Sequence, residues 1–340
     1  MRLRYFGQLL AGVQTDGMIP PPRAARPVLA TLNLTENCQA RCVMCDYWTE
    51  NSRNLISADR SVSLIEEISA MRIPDLRLLG GEPLLRKDLF TILDRVQHLT
   101  FRRTILATNG MLLSRLAHQV NRSNISHVTV SIDGYGMDHD WVRGTSGAFE
   151  QILEGLDRLE GKRIKIGALV SNRLANGIDR LLSLCAERAW MFDIVLPSFD
   201  LPFANGTHCA DGLNQLWPSA SEANRILTAV QQAGHITGAL AGAAYDYLVH
   251  RKYPQRVCVM GYINLQVRAN GDLLTGCYEL KPLGNVLERS IGSILTSQAY
   301  GERLQRMLRM DCEGCVCGWQ LSYLAENPLS SIKYVRSRLS

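Results

Sequence analysis

At 340 residues the chain is long enough for one large α/β domain with a smaller module attached. Its 46% hydrophobic and 20% charged residues are those of an ordinary soluble globular protein, and the lack of an uncharged apolar run of about 18 residues argues against a membrane-spanning helix. The net charge of +5 is too small and too scattered to argue for nucleic-acid binding. Basic residues do gather between Arg2 and Arg26 and between Lys333 and Arg338, as solvated ends or as an attraction for an anionic partner.

In chain order, residues 1–27 read as an N-terminal extension ending in the turn Pro20-Pro21-Pro22. Its apolar stretch is broken by Gly7 and Gln8 and has no convincing cleavage site, so the protein is expected in the cytoplasm rather than secreted. From 28 to 200, strand-like runs at 28–34, 75–80, 103–109, 127–133, 163–171 and 192–198 alternate with amphipathic stretches at 61–71, 88–99, 114–122, 148–161 and 178–189. That alternation predicts an α/β fold, a partial (β/α)6 TIM-like barrel with its active groups at the C-terminal ends of the strands. Residues 201–257 read as a connector with a helix near 221–234, residues 258–318 as a small β-hairpin and helix module, and residues 319–340 as a basic tail.

Ten cysteines are many for a cytoplasmic chain, and their grouping favours metal binding over disulfides. The segment LNLTENCQARCVMCDYW sets Cys38, Cys42 and Cys45 in a C-x3-C-x2-C spacing directly after the first strand. Three thiolates on one short loop can hold three irons of a 4Fe–4S cubane and leave the fourth open to chelate another molecule. Zinc is the alternative, but a structural zinc wants four ligands and no histidine lies nearby to complete the set.

This loop resembles that of the radical S-adenosylmethionine enzymes, and the likeness runs over residues 28–200. The resemblance implies that the methionine end of S-adenosylmethionine binds the open iron, and that reductive cleavage yields a 5′-deoxyadenosyl radical that abstracts hydrogen from a substrate. It also implies that Gly80, Gly81, Glu82 and Pro83, after the second strand, hold the methionine ammonium; two glycines would let backbone approach a ligand closely. Asn109 after the third strand, and Ser131 and Asp133 after the fourth, would contact the cofactor or lie beside the substrate. Arg143 suits the methionine carboxylate, or else makes a surface salt bridge. Ser171, with Asn172, is placed at the ribose, and Met44 near the adenine; Tyr47 and Trp48 fit that neighbourhood or ordinary core packing.

A second group, Cys258, Cys277, Cys312 and Cys315, can ligate a second 4Fe–4S cluster or a four-cysteine zinc. The first two flank a hairpin pattern with Asn270-Gly271 as its turn. The arrangement resembles the reduced auxiliary-cluster module called twitch, a smaller relative of SPASM, and is similar in layout to 2-deoxy-scyllo-inosamine dehydrogenase. Cys317 could replace Cys315 as a ligand. Cys185 falls in a helical pattern and reads as core, whereas Cys209 and Cys317 are either hydrogen-atom donors to a substrate radical or inert thiols.

The resemblance implies an oxidoreductase or epimerase that holds two 4Fe–4S clusters and S-adenosylmethionine and takes electrons from a flavodoxin or ferredoxin. Its substrate would be a small polar natural product, an aminocyclitol, sugar or nucleoside of the kind met in antibiotic biosynthesis. The alternative is a ribosomally made peptide; residues 1–27 are short beside the leader-recognition domain of about 80–100 residues that peptide-modifying members often carry.

Overall fold

Strands with one apolar and one polar face carry the fold. The computed structural model describes residues 27–49, 56–198, 210–276, 281–311 and 315–326. Six parallel strands form its body: β1 (Leu29–Asn33), β2 (Asp75–Leu79), β3 (Arg103–Thr108), β4 (His127–Ser131), β5 (Arg163–Leu169) and β6 (Met191–Val195). On one face Leu76, Leu78, Leu106, Val128, Val130, Ile166 and Phe192 are at most 1% exposed, because successive side chains alternate and this set packs under helices. The covering helices are α1 (Ala58–Ala70), α2 (Leu89–Arg95), α3 (Leu113–Arg122), α4 (Met137–Arg143), α5 (Ala148–Asp157) and α6 (Asn172–Glu187). Each strand returns to its neighbour through one or two of these helices, which puts the strands' C-terminal ends, and the loops that follow them, at one end of the molecule.

Beyond β6 come α7 (Ala210–Leu216), α8 (Ala220–Gln232) and α9 (Gly238–His250). Helix α8 starts with a reciprocal capping box between Ser219 and Glu222, which explains why it was legible as a helix. The C-terminal part consists of α10 (Met260–Ile263), β7 (Asn264–Val267), β8 (Asp272–Leu274), β9 (Gly284–Asn285), α11 (Ile291–Leu295), α12 (Gln298–Leu308) and α13 (Trp319–Glu326). The sheet is nine-stranded in the order β6-β5-β4-β3-β2-β1-β7-β8-β9 and is not closed: β6 and β9 are its edges.

The hairpin predicted around Asn270-Gly271 is present as β7 and β8. Strand β7 pairs in parallel with β1, Leu29 opposite Asn264 and Leu32 opposite Val267, so the C-terminal segment extends the barrel sheet itself. Thr31 donates its hydroxyl to Asn264 Oδ1 at 2.8 Å, and Gln266 donates to Asn33 Oδ1 at 3.1 Å, so the polar groups buried along this seam are paired. Among the described residues no helix is long and apolar enough to cross a membrane.

Candidate active site

The loop after β1 carries Cys38, Cys42 and Cys45 and has little regular structure of its own, so its backbone is held by what surrounds it. On one side Gly81 N–H donates to Thr35 O and Glu82 N–H to Asn37 O, both at 2.8 Å. On the other side Arg41 N–H donates to Arg143 O at 3.2 Å and Val43 N–H to Val142 O at 3.0 Å. The loop is thereby clamped between the residues that follow β2 and the end of α4.

Glycines make this clamp possible. A Cβ on Gly80 would stand 2.2 Å from Thr35 O, one on Gly81 2.3 Å from Asn37 O, one on Gly144 2.3 Å from Arg41 O, and one on Gly212 1.9 Å from Val43 O. Four carbonyls of the cysteine loop thus each face a residue that can carry no side chain. Gly80 and Gly81, singled out from the sequence, lie against backbone carbonyls of the cysteine loop. Gly212, on α7, was not singled out from the sequence, where an isolated glycine in a helical pattern was the only signal. Helix α7 is held in place by Asn172 Nδ2 donating to Gln215 O at 2.8 Å, and by Leu216, which packs with Val142 and Leu169 against Val43 and Met44.

Two N–H groups point at the loop sulfurs. Asn109 Nδ2 lies 3.7 Å from Cys38 Sγ and Arg143 Nη1 lies 3.6 Å from Cys42 Sγ. Burial raises the Cys38 thiol pKa above its ordinary value. A thiolate there calls for a bound cation and for hydrogen-bond donors, and the donors are in place, so the three cysteines suit an iron–sulfur cluster. Among the described residues no three His, Cys, Asp or Glu side chains converge on a single-ion position.

The other predicted residues turn out to support the site from within. Glu82 is fully enclosed and accepts from Thr108 Oγ1 at 2.8 Å, Asn109 N–H at 2.8 Å and Leu84 N–H at 3.0 Å. Burial outweighs these bonds and pushes its carboxyl up to about 7. Its side chain braces the loop after β3, and Pro83 opens a buried turn behind it. Arg143 Nη2 pairs with Asp133 Oδ2 at 2.6 Å, and its Nε is buried without a partner. Burial alone would lower the pKa of Arg143, but Asp133 and Cys42 hold it above its usual value. Asp133 also accepts Leu169 N–H at 2.8 Å, and its own N–H donates to His139 Nδ1 at 3.1 Å. Burial, and then the charge of Arg143, push His139 down to about 3, so it stays neutral. Ser171, completely buried, caps α6 by accepting Leu174 N–H at 3.1 Å. Ser131 remains partly exposed at the end of β4. Trp48 is 41% exposed with the Arg41 guanidinium over its ring, so it is not core.

Of the second cysteine group, Cys258 and Cys315 are each 8% exposed. The segments that bear them lie together: Gln255 Nε2 donates to Cys315 O at 2.8 Å, Val259 N–H donates to Ser322 Oγ at 3.3 Å, and Gly318 leaves room for Met260. Cys317 is partly exposed, and Cys185 is buried in α6 with its thiol pushed up to about 12 by burial, as befits a core residue. Cys209, Cys277 and Cys312 lie outside the described residues, as do the N-terminal extension up to residue 26 and the tail from residue 327.

Residues 32–174 match the model of the Radical SAM superfamily. The pre-heme d1 synthase of Dinoroseobacter shibae is 35% identical over 177 residues, 49% of this chain and 43% of that protein. The AdoMet-dependent heme synthase of Methanosarcina barkeri is 34% identical over 167 residues, 47% of this chain and 48% of that protein. The chain thus matches less than half the length of these curated relatives. In fold it is similar to Streptococcus suis SuiB bound to its precursor peptide SuiA, with a TM-score of 0.63 and 16% identity over 89% of this chain and 71% of that one.

Proposed function

We propose that the protein is a radical S-adenosylmethionine enzyme with an auxiliary iron–sulfur cluster, acting by hydrogen abstraction on a small polar molecule to oxidise or epimerise it. The observation that carries this reading is the cysteine loop: three thiols fixed by four glycine contacts, with N–H donors aimed at two of the sulfurs. A 4Fe–4S cluster bound there supplies the electron that reductively cleaves S-adenosylmethionine to the 5′-deoxyadenosyl radical.

In this reading Cys38, Cys42 and Cys45 hold the cluster. Asn109 and Arg143 donate to the sulfurs and moderate the negative charge that a thiolate-ligated cluster accumulates. Asp133 keeps Arg143 charged and turned toward Cys42. Met44 offers an apolar surface for the adenine, and Ser131 a hydroxyl at the edge of the site. Cys258, Cys277, Cys312 and Cys315 hold the second cluster, which the nearness of the Cys258 and Cys315 segments supports. When the substrate is oxidised, its first electron leaves with the abstracted hydrogen atom and the second cluster would accept the other; a carrier such as flavodoxin or ferredoxin would supply the separate electron that cleaves S-adenosylmethionine.

Anaerobic reconstitution should give about seven to eight irons per chain, falling to about four when Cys258 and Cys315 are replaced by Ala. Replacing Cys38, Cys42 and Cys45 together by Ala should abolish 5′-deoxyadenosine formation. Cleavage that survives the triple change would end the reading. A precursor peptide that binds with micromolar affinity would favour a peptide substrate instead.

A further inference from the structure

Helix α4 carries the backbone that clamps the Cys42 side of the loop and the guanidinium that faces Cys42, yet it has little to hold it in place by itself. It is seven residues long, runs between Gly136 and Gly144, and has no side-chain cap at its N-terminus. A helix of two turns is marginal without tertiary support. On its outer side Asp138 accepts from Asn176 at 3.1 Å and pairs with Arg173 at 3.3 Å, both on α6. His139 and Arg143 stand four residues apart and so share another face, and both engage Asp133. His139 Nδ1 accepts the Asp133 N–H at 3.1 Å, and Arg143 Nη2 pairs with Asp133 Oδ2 at 2.6 Å. The second carboxylate oxygen accepts Leu169 N–H at 2.8 Å. The approach is close: a Cβ on Gly134 would stand 2.9 Å from the His139 backbone nitrogen.

His139 is the costly member of this set. It is completely buried, and because Nδ1 accepts, the ring proton sits on Nε2, where it has no acceptor among the described residues. A buried donor left unmet is destabilising. A leucine would fill the same enclosure without that cost, but would leave the N–H of buried Asp133 without its acceptor. We infer that His139 is a positioning residue for the iron–sulfur cluster: by holding the Asp133 backbone it fixes the carboxylate that keeps Arg143 beside Cys42. The contacts form one chain, from His139 to Asp133 at 3.1 Å, to Arg143 at 2.6 Å and to Cys42 Sγ at 3.6 Å. The Asp133 and Arg143 side chains are enclosed, so a shift at one is passed to the next. The neutral imidazole puts no charge on the sulfurs itself. A donor to a ligand sulfur favours the reduced, more negative cluster, so loss of His139 should make the cluster harder to reduce from two contacts away. The inference rests on the proposed cluster at Cys38, Cys42 and Cys45 and gives it a support outside the cysteine loop.

The test measures the midpoint potential of the reconstituted full-length protein in an electron paramagnetic resonance titration, following the signal that changes when S-adenosylmethionine is added, with iron content and melting temperature read alongside. His139→Leu removes the acceptor and should move the midpoint to more negative values. His139→Asn sets an amide oxygen close to the place of Nδ1 and should keep the wild-type midpoint. His139→Gln carries its amide one bond farther out, away from the Asp133 N–H, and should behave like the leucine variant; it serves in place of the leucine variant if that protein folds poorly. A purely structural role makes the midpoint follow the melting temperature across the three proteins, whereas the inference makes it follow the acceptor at the Nδ1 position. An unmoved midpoint in the leucine and glutamine variants overturns the inference, and so does an asparagine variant shifted as far as they are. Wild-type protein with no signal that responds to S-adenosylmethionine overturns the proposed function; wild-type protein with such a signal, whose midpoint ignores residue 139, overturns this inference alone.

Discussion

Gly81→Ala should damage the cysteine loop far more than the size of a methyl group suggests. The added Cβ would stand 2.3 Å from Asn37 O and 2.5 Å from Glu36 O, both backbone atoms that no rotamer change can move aside. Restoring ordinary contact requires the chain at residues 36–37 to retreat by roughly an ångström, because contacts below about 3.4 Å are strongly repulsive. That retreat lengthens the bonds from Gly81 N–H to Thr35 O and from Glu82 N–H to Asn37 O, both 2.8 Å in the wild type. Overpacking costs about 1–3 kcal/mol, and two weakened hydrogen bonds about 1–2 kcal/mol more. The reduced freedom of the unfolded chain returns under about 1 kcal/mol, leaving a net loss of about 2–4 kcal/mol. The displacement falls next to Cys38, so iron uptake should suffer together with stability. Thermal unfolding followed by circular dichroism, and iron content after anaerobic reconstitution, measure the two effects. Gly242→Ala is the control: it lies within α9 with nothing near its Cβ position, and should stabilise by up to about 1 kcal/mol. A Gly81→Ala protein with wild-type melting temperature and full iron content would refute the steric argument.

Arg143→Met strands Asp133, whose side chain is 3% exposed, and should cost about 3–5 kcal/mol in denaturant unfolding of the iron-free protein. Asn109→Ala removes the donor to Cys38 and should make the cluster harder to reduce, read as a more negative midpoint in an electron paramagnetic resonance titration. Glu82 supplies a pH test. Its carboxyl titrates near 7 in the fold against 4.5 for the ordinary value, so the fold disfavours its ionised form. The penalty is absent below pH 4.5, grows as the pH rises to 7, and amounts to about 3 kcal/mol above that. Glu82→Gln should therefore gain on wild type in urea unfolding at pH 8 compared with pH 4.5; a difference that does not change with pH would remove the titration argument. Gly212→Ala should lower iron retention as well as melting temperature, since its Cβ would stand 1.9 Å from Val43 O; full retention would show that α7 does not support the loop.

The parallel strands were legible because each combines a strong apolar run with a nearby amphipathic helix, and local periodicity reports both. The pairing of β1 with β7 was not, because Leu29 and Asn264 are joined by no local pattern. The hairpin's own turn was visible, but its attachment to the barrel edge depends on a tertiary contact. Among site residues, the three cysteines were readable from spacing, since ligand spacing is a local property. The partners that Glu82, Arg143 and Ser171 take within the fold were not, because a residue type does not name its tertiary partner. Which partner a buried carboxylate or guanidinium takes is settled by packing: Glu82 turns to Asn109 and Thr108, Arg143 to Asp133, and Ser171 to the first turn of α6.

The glycine contacts explain how an irregular loop can present three thiols with the constancy that a cluster demands. A strand or helix would fix them through its own ladder, but three sulfurs spread over one short loop around a cubane fit neither period. The loop instead lends alternate carbonyls, at Thr35 and Asn37 and then at Arg41 and Val43, to neighbours that approach without side chains. The two halves rest on different elements: the Cys38 half on the end of β2, the Cys42 half on the end of α4 and on α7. Substitutions on the two sides should therefore separate, those at Gly80 or Gly81 acting on Cys38 and those at Gly144 or Gly212 acting on Cys42 and Cys45. Because Asn109 serves the first half and Arg143 the second, each half carries both its own backbone support and its own donor to sulfur, and rigidity and electrostatics are supplied by the same elements.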